Sequence, residues 1–181
     1  KVLSIHGVYS EQVDALHSKT ISTAAKITET KVLKWADKLT TDSKIVKKMY
    51  KEKLNVDFEF FYAPLDIKKF EKLKNVEKKE KQIIFIGRDS YEKGIDILKG
   101  IESKIDAKII YCTDMKWEDA MENLKASSIL VIPSRMESIP QVIKEAFYLK
   151  VPIIATNVGG IPELITNNET GILIPPDNPK I

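Results

Sequence analysis

Short apolar runs alternate along this chain with longer stretches whose apolar positions recur every three or four residues. Such alternation predicts strands and helices in turn, and so a parallel α/β architecture. KVLSIHG predicts a short strand ending at Gly7, followed by a long helical stretch to about Lys38. After LTTDS comes the helix KIVKKMYKEKL, and DFEFFYAP predicts another strand closed by Pro64. The polar, lysine-rich segment LDIKKFEKLKNVEKKEK predicts a linker. From Gln82 the series becomes regular: strand IIFIG, helix GIDILKGI, strand KIIYC, helix WEDAMENLKAS, strand ILVIP, helix QVIKEAFYL, strand PIIAT, turn NVGG and strand GILIP. The predicted layout is a partial N-terminal Rossmann-like domain over 1–64, a linker over 65–81 and a second Rossmann-like domain over 82–181.

Composition adds limits. The 181 residues are 43% hydrophobic and 30% charged, enough apolar content for a sizeable core. A net charge of +3 gives no argument for nucleic acid. One cysteine, Cys112, forms no internal disulfide, which makes a reducing cytoplasm the default, and its apolar setting predicts a core position. No apolar run reaches the roughly 20 residues of a membrane span. The lysines of 44–54 allow peripheral contact with anionic lipid, although solvated cover of a helix is the simpler reading. Met115, Trp117 and Met121 fall at helical spacing and are read as packing residues, and His17 as a surface or core-packing residue of a helix.

Chemistry concentrates in the run PSRMESIPQVIKEAFYLKVPIIATNVGGIP. A buried strand delivers a loop carrying Glu137, and a helix then starts near Pro140 with Glu145 on it, eight residues after Glu137. Helical rise would separate the two carboxylates by roughly 12 Å. Between them a helix N-terminus offers free N–H groups and a positive dipole end to an anion. Carboxylates suit paired hydroxyls and the helix end suits phosphate, so the order fits sugar, diphosphate and ribose. Upstream, Arg88 and Lys93 lie in a loop after strand IIFIG, where ligands meet open parallel sheets.

These residues resemble the E-x7-E signature of retaining glycosyltransferases of family 4, which have the GT-B fold. PSR, ESIP, EA, VPIIATNVGGIPELI and TGILIPP extend the likeness. So does a glycine–arginine pair, Gly87-Arg88, followed five residues on by Lys93-Gly94. The resemblance implies transfer of a hexose from a nucleotide diphosphate sugar, UDP- or GDP-linked, to a hydroxyl of a saccharide or lipid-linked acceptor, with retention. It implies no metal and no further cofactor, because Arg88 and Lys93 would hold the diphosphate. Glu137 would accept from sugar hydroxyls and Glu145 from ribose hydroxyls. The amides of Ser138, Ile139 and Gln141 would face phosphate, and Gly87 would let the backbone approach the ligand. His6 corresponds to a family histidine near the donor sugar, with an ordinary strand-end histidine as the competing reading. Gly159-Gly160 reads first as a structural turn. Family members usually carry two strand–helix units between the EKG helix and the PSR strand, and here there is room for one. A nucleotide-sugar-binding module without turnover, and a sugar-nucleotide epimerase of GT-B fold, are the alternatives.

Overall fold

The computed structural model describes residues 1–7, 13 and 18–178. His17 lies outside them. The chain divides into two compact units, Lys1–Ala63 and Pro64–Ile181.

In the first unit, strands β1 (Val2–Ser4), β2 (Lys38–Thr41) and β3 (Glu59–Phe60) form a parallel sheet in that order. Helix α1 (Lys19–Trp35) lies between β1 and β2 in the chain, and α2 (Lys44–Leu54) between β2 and β3. The predicted first helix therefore stops before Lys38, which instead opens β2. Ser43 caps α2, its hydroxyl accepting from the Val46 amide at 3.3 Å. Leu33, Val46, Tyr50 and Phe58 form the buried centre of this unit. On α2 the lysines are left at the surface or partly covered, as its amphipathic pattern requires.

In the second unit, the stretch expected to be a linker is packed. Its short helix α3 (Ile67–Phe70) buries Phe70 against the main core, with Leu65 and Leu73 beside it. The apolar residues at 65, 70 and 73 are few among many lysines, which hid them in the composition. Five parallel strands follow: β4 (Gln82–Ile86), β5 (Lys108–Cys112), β6 (Ile129–Ile132), β7 (Ile153–Thr156) and β8 (Ile172–Ile174). Their order is β5-β4-β6-β7-β8. The connecting helices are α4 (Ile95–Ile101), α5 (Trp117–Ala126), α6 (Gln141–Tyr148) and the short α7 (Ile161–Leu164). One strand–helix unit, β5–α5, separates α4 from β6.

Successive β4 residues point to opposite faces, with Ile84 in the larger core and Phe85 against Ile95 and Leu98 of α4. Burial on both faces explains why these strands are nearly continuous apolar runs. Cys112 and Met121 are 3% and 1% exposed within the larger core, whereas Met115 is 42% exposed and stands outside it.

Strand order also locates a crevice. From β4 the chain crosses to β5 on one side and then returns to β6 on the other, so β4 and β6 are neighbours whose following loops diverge. Ligands of open α/β sheets bind outside the carboxyl ends of strands at such a switch point.

Candidate functional site

The loop leaving β4 carries Gly87, Arg88 and Lys93, and the loop leaving β6 carries Ser134 and Glu137. Across the switch point Lys93 Nζ lies 2.6 Å from Glu137 Oε1, and the Ser134 hydroxyl donates to the same oxygen at 2.9 Å. The glutamate side chain is 8% exposed and the lysine 23% exposed. A carboxylate taken this far from water needs both partners.

Further contacts fix the two loops against each other. Backbone amides of Arg135 and Met136 donate to the Glu92 carbonyl at 2.8 and 3.3 Å. The Arg135 guanidinium makes a fork to both Asp96 oxygens at 2.7 and 2.8 Å, reaches Asp177 Oδ1 at 2.6 Å and donates to the Tyr91 carbonyl at 2.8 Å. It also stacks over the Tyr91 ring, 4.0 Å from its centroid. Gly94, at φ +67°, presses so closely on the Pro133 carbonyl that any Cβ would overlap it. This glycine starts α4, as the N-cap residue.

The turn after β7 completes the wall. Gly159, at φ +53°, meets the Glu137 carbonyl, and Gly160 meets the Ser138 carbonyl and the Ile139 side chain. A Cβ at either glycine would collide with that backbone. The turn thus belongs to the packing around Glu137, through its main chain rather than its side chain.

Helix α6 begins at Gln141 with Pro140 as its N-cap residue, and no side chain caps it. Glu137 therefore stands in the loop before the helix, and helical rise applies only from Gln141 onward. The Ser138 hydroxyl is buried with no hydrogen-bond partner among the described residues, as is that of Ser90 in the β4 loop. The Ile139 side chain lies against Gly160.

Glu145, one turn into α6, accepts from the Trp117 indole N–H at 2.8 Å. Burial raises its pKa, while the indole hydrogen bond and the charge of Lys69 act in the opposite direction. Arg88 differs from its expected partners: its side chain is 74% exposed and pairs with Glu92, four residues on in the same loop. The structure thus joins Lys93 to Glu137 and keeps Gly87 beside the Lys93 stem, 3.8 Å from where a Cβ would be.

His6 belongs to the first unit. Its Nδ1 is 3.0 Å from Asp42 Oδ1 and its Nε2 3.1 Å from the Ser4 hydroxyl. It borders a cavity of about 450 Å³ lined also by Ile5, Glu29, Leu33 and Tyr50. The sequence pattern does not distinguish Ser134, Arg135 and Asp42, and it gives Trp117 only a packing role. Only the Ser134-Arg135 pair had a signal, the PSR tripeptide. Among the described residues no group of three or more His, Cys, Asp or Glu side chains is placed to hold a metal ion. No described helix is long and apolar enough to cross a membrane.

The family model for glycosyl transferases group 1 matches residues 65–181, the whole of this strand series and its site loops. The chain belongs to that family. An uncharacterized glycosyltransferase of Methanocaldococcus jannaschii is 27% identical over 208 residues, covering 96% of this chain and 53% of that protein. Among solved structures, sucrose-phosphate synthase from Thermosynechococcus elongatus superposes with a TM-score of 0.79 at 17% identity, over 98% of this chain and 55% of that one. The Anabaena protein HepE, in complex with UDP-glucose, gives 0.73 at 14% identity, over 98% and 59%. The chain spans about half the length of these relatives. The α/β, Rossmann-like fold is the one these GT-B glycosyltransferases share.

Proposed function

We propose that this chain carries the donor side of a retaining, family-4-type glycosyltransferase that moves a hexose from a nucleotide diphosphate sugar to an acceptor hydroxyl without a metal. One observation carries the reading: the Lys93–Glu137 contact, which spans the switch point of the sheet at the approach to α6. A cation and a hydroxyl-accepting carboxylate there are what a diphosphate and its attached sugar require. The unpartnered Ser138 hydroxyl beside them adds a polar group to the approach to the helix.

Charge accumulates on the diphosphate as the glycosidic bond breaks. Lys93 and the N-terminus of α6 would stabilise it, and Arg88, free to swing from its exposed pairing with Glu92, would close on a second phosphate oxygen. Glu137 would then accept from sugar hydroxyls as Lys93 turns to the phosphate, and Glu145 would accept from ribose. The acceptor, a saccharide or lipid-linked hydroxyl, would attack from the face the leaving group vacates and pass its proton to the departing phosphate oxygen. By the family resemblance, His6 would orient a sugar hydroxyl. UDP is the favoured base carrier, supported by the UDP-glucose complex of HepE. Cytoplasmic placement rests on the single, buried Cys112.

Calorimetric titration with UDP, GDP and ADP in metal-free buffer tests this, beside Arg88→Ala and Glu145→Ala. UDP should bind, and both substitutions should weaken it by about tenfold or more. Failure of all three nucleotides to bind the wild-type chain would remove the donor-site reading. Release of UDP with sugar transfer, against an isomerised sugar nucleotide, separates a transferase from an epimerase.

A further inference from the structure

Glu145, on α6, meets α5 through one hydrogen bond and feels α3 through the charge of Lys69. Trp117, the first residue of α5, donates its indole N–H to Oε1 at 2.8 Å. Phe70 of α3 meets the indole edge-on, with centroids 4.9 Å apart and planes at 83°. Phe70 in turn packs on Tyr148 of α6 at 4.6 Å. Lys69 of α3 stands 5.7 Å from the indole centroid and is the charged group that acts on Glu145.

Packing alone does not account for an indole here. A phenylalanine would fill the aromatic cluster without bringing a polar N–H into partly buried surroundings, where a donor must find an acceptor. The indole finds it in a carboxylate that burial pushes toward its neutral form. A neutral carboxyl group would be a donor as well as an acceptor, and a poor receiver for a pair of ribose hydroxyls. An N–H on one oxygen favours the ionised form and fixes the plane of the group. Phe70 against the indole edge, itself backed by Tyr148, leaves the ring little freedom to turn.

We propose that Trp117 is a positioning residue of the nucleotide site: its N–H locks Glu145 Oε1 so that Oε2 is presented to a ribose hydroxyl. This rests on the reading of Glu145 as the ribose ligand.

Trp117→Phe keeps the ring and removes only the N–H. The Glu145 side-chain carboxyl carbon is followed by NMR against pH in ligand-free wild type and variant, and UDP is then titrated into each. Losing the hydrogen bond should raise the midpoint of Glu145 by about one pH unit. It should also weaken UDP binding about tenfold at neutral pH. In the wild type, the Trp117 indole N–H resonance should inflect at the same midpoint as the carboxyl carbon. That measurement needs no variant, so it can overturn the proposal even if Trp117→Phe fails to fold. An unchanged midpoint in the variant, or an indole resonance indifferent to Glu145, overturns the proposal. A raised midpoint with undiminished UDP binding overturns it too, because the contact would then serve only packing. Wild-type chain that binds no nucleotide removes the donor-site reading itself, and is told apart because the Glu145 titration still responds to the substitution.

Discussion

Lys93 and Glu137, 44 residues apart in the chain, meet at 2.6 Å with the glutamate almost wholly buried. The contact joins two loops that leave neighbouring parallel strands.

Lys93→Ala should destabilise the fold as well as the site. It leaves Glu137 with only the Ser134 hydroxyl among its observed partners. Removing one member of a buried pair costs about 3–5 kcal/mol, and partial exposure of Lys93 brings the expected loss down to roughly 2–3 kcal/mol. Urea unfolding of Lys93→Ala beside Lys93→Ala/Glu137→Gln measures it. The double variant should recover much of the loss, since no uncompensated charge stays inside.

Glycine substitutions should split by position. Gly94→Ala and Gly159→Ala force a Cβ into a carbonyl oxygen at a positive φ, and each should cost more than about 2 kcal/mol while weakening nucleotide binding. Gly100→Ala, inside α4 with nothing within 4 Å of the added carbon, should stabilise by about 0.5–1 kcal/mol. Thermal melts of the three variants check the ordering.

The Arg135 clamp predicts an acid response. Asp96 has its pKa lowered from 3.8, first by the hydrogen bond from Arg135. A carboxylate depressed in the folded state contributes stability above its unfolded pKa and loses it as pH falls through the folded value. Arg135→Gln should therefore be less stable than wild type near neutrality, and the difference should narrow below about pH 4. Stability measured by urea unfolding from pH 7 to pH 2 gives the comparison; a constant difference would reject it.

Cys112 should be inert in the folded chain. Burial pushes its thiol up to about 11, which leaves little thiolate at pH 8 and no access for a reagent. A chromogenic disulfide should react with it slowly in buffer and at once in urea. Fast reaction under native conditions would mean that β5 opens readily.

Much of the second unit could be read from hydrophobic pattern alone. Parallel strands covered on both faces must be apolar throughout, so QIIFI, KIIYC, ILVI and IIAT announce themselves. The loops that follow them, with Arg88, Lys93 and Glu137, and the helix that carries Glu145 are equally visible, because charged residues after a buried strand have few structural reasons to be there. The weaker elements were not. Lys38–Thr41 carries one large apolar residue and becomes a strand only through the pairing of β1 and β3 on its two sides. The segment from 65 to 81 looked like a linker because its lysines outnumber Phe70, whose burial depends on Trp117 and Tyr148 being in place.

What the chain specifies locally is therefore the identity and order of strands, helices and charged loops. Local pattern depends on the next few residues, which the sequence displays. Which loops face each other depends on strand order, and that is settled by the competition of all strands for one sheet. The tertiary structure alone set β4 beside β6, brought Lys93 to Glu137, pressed Gly159 onto the Glu137 carbonyl and gave Glu145 to Trp117. Each of these contacts joins residues more than 20 positions apart, whose partners are chosen by packing rather than by neighbours in the chain.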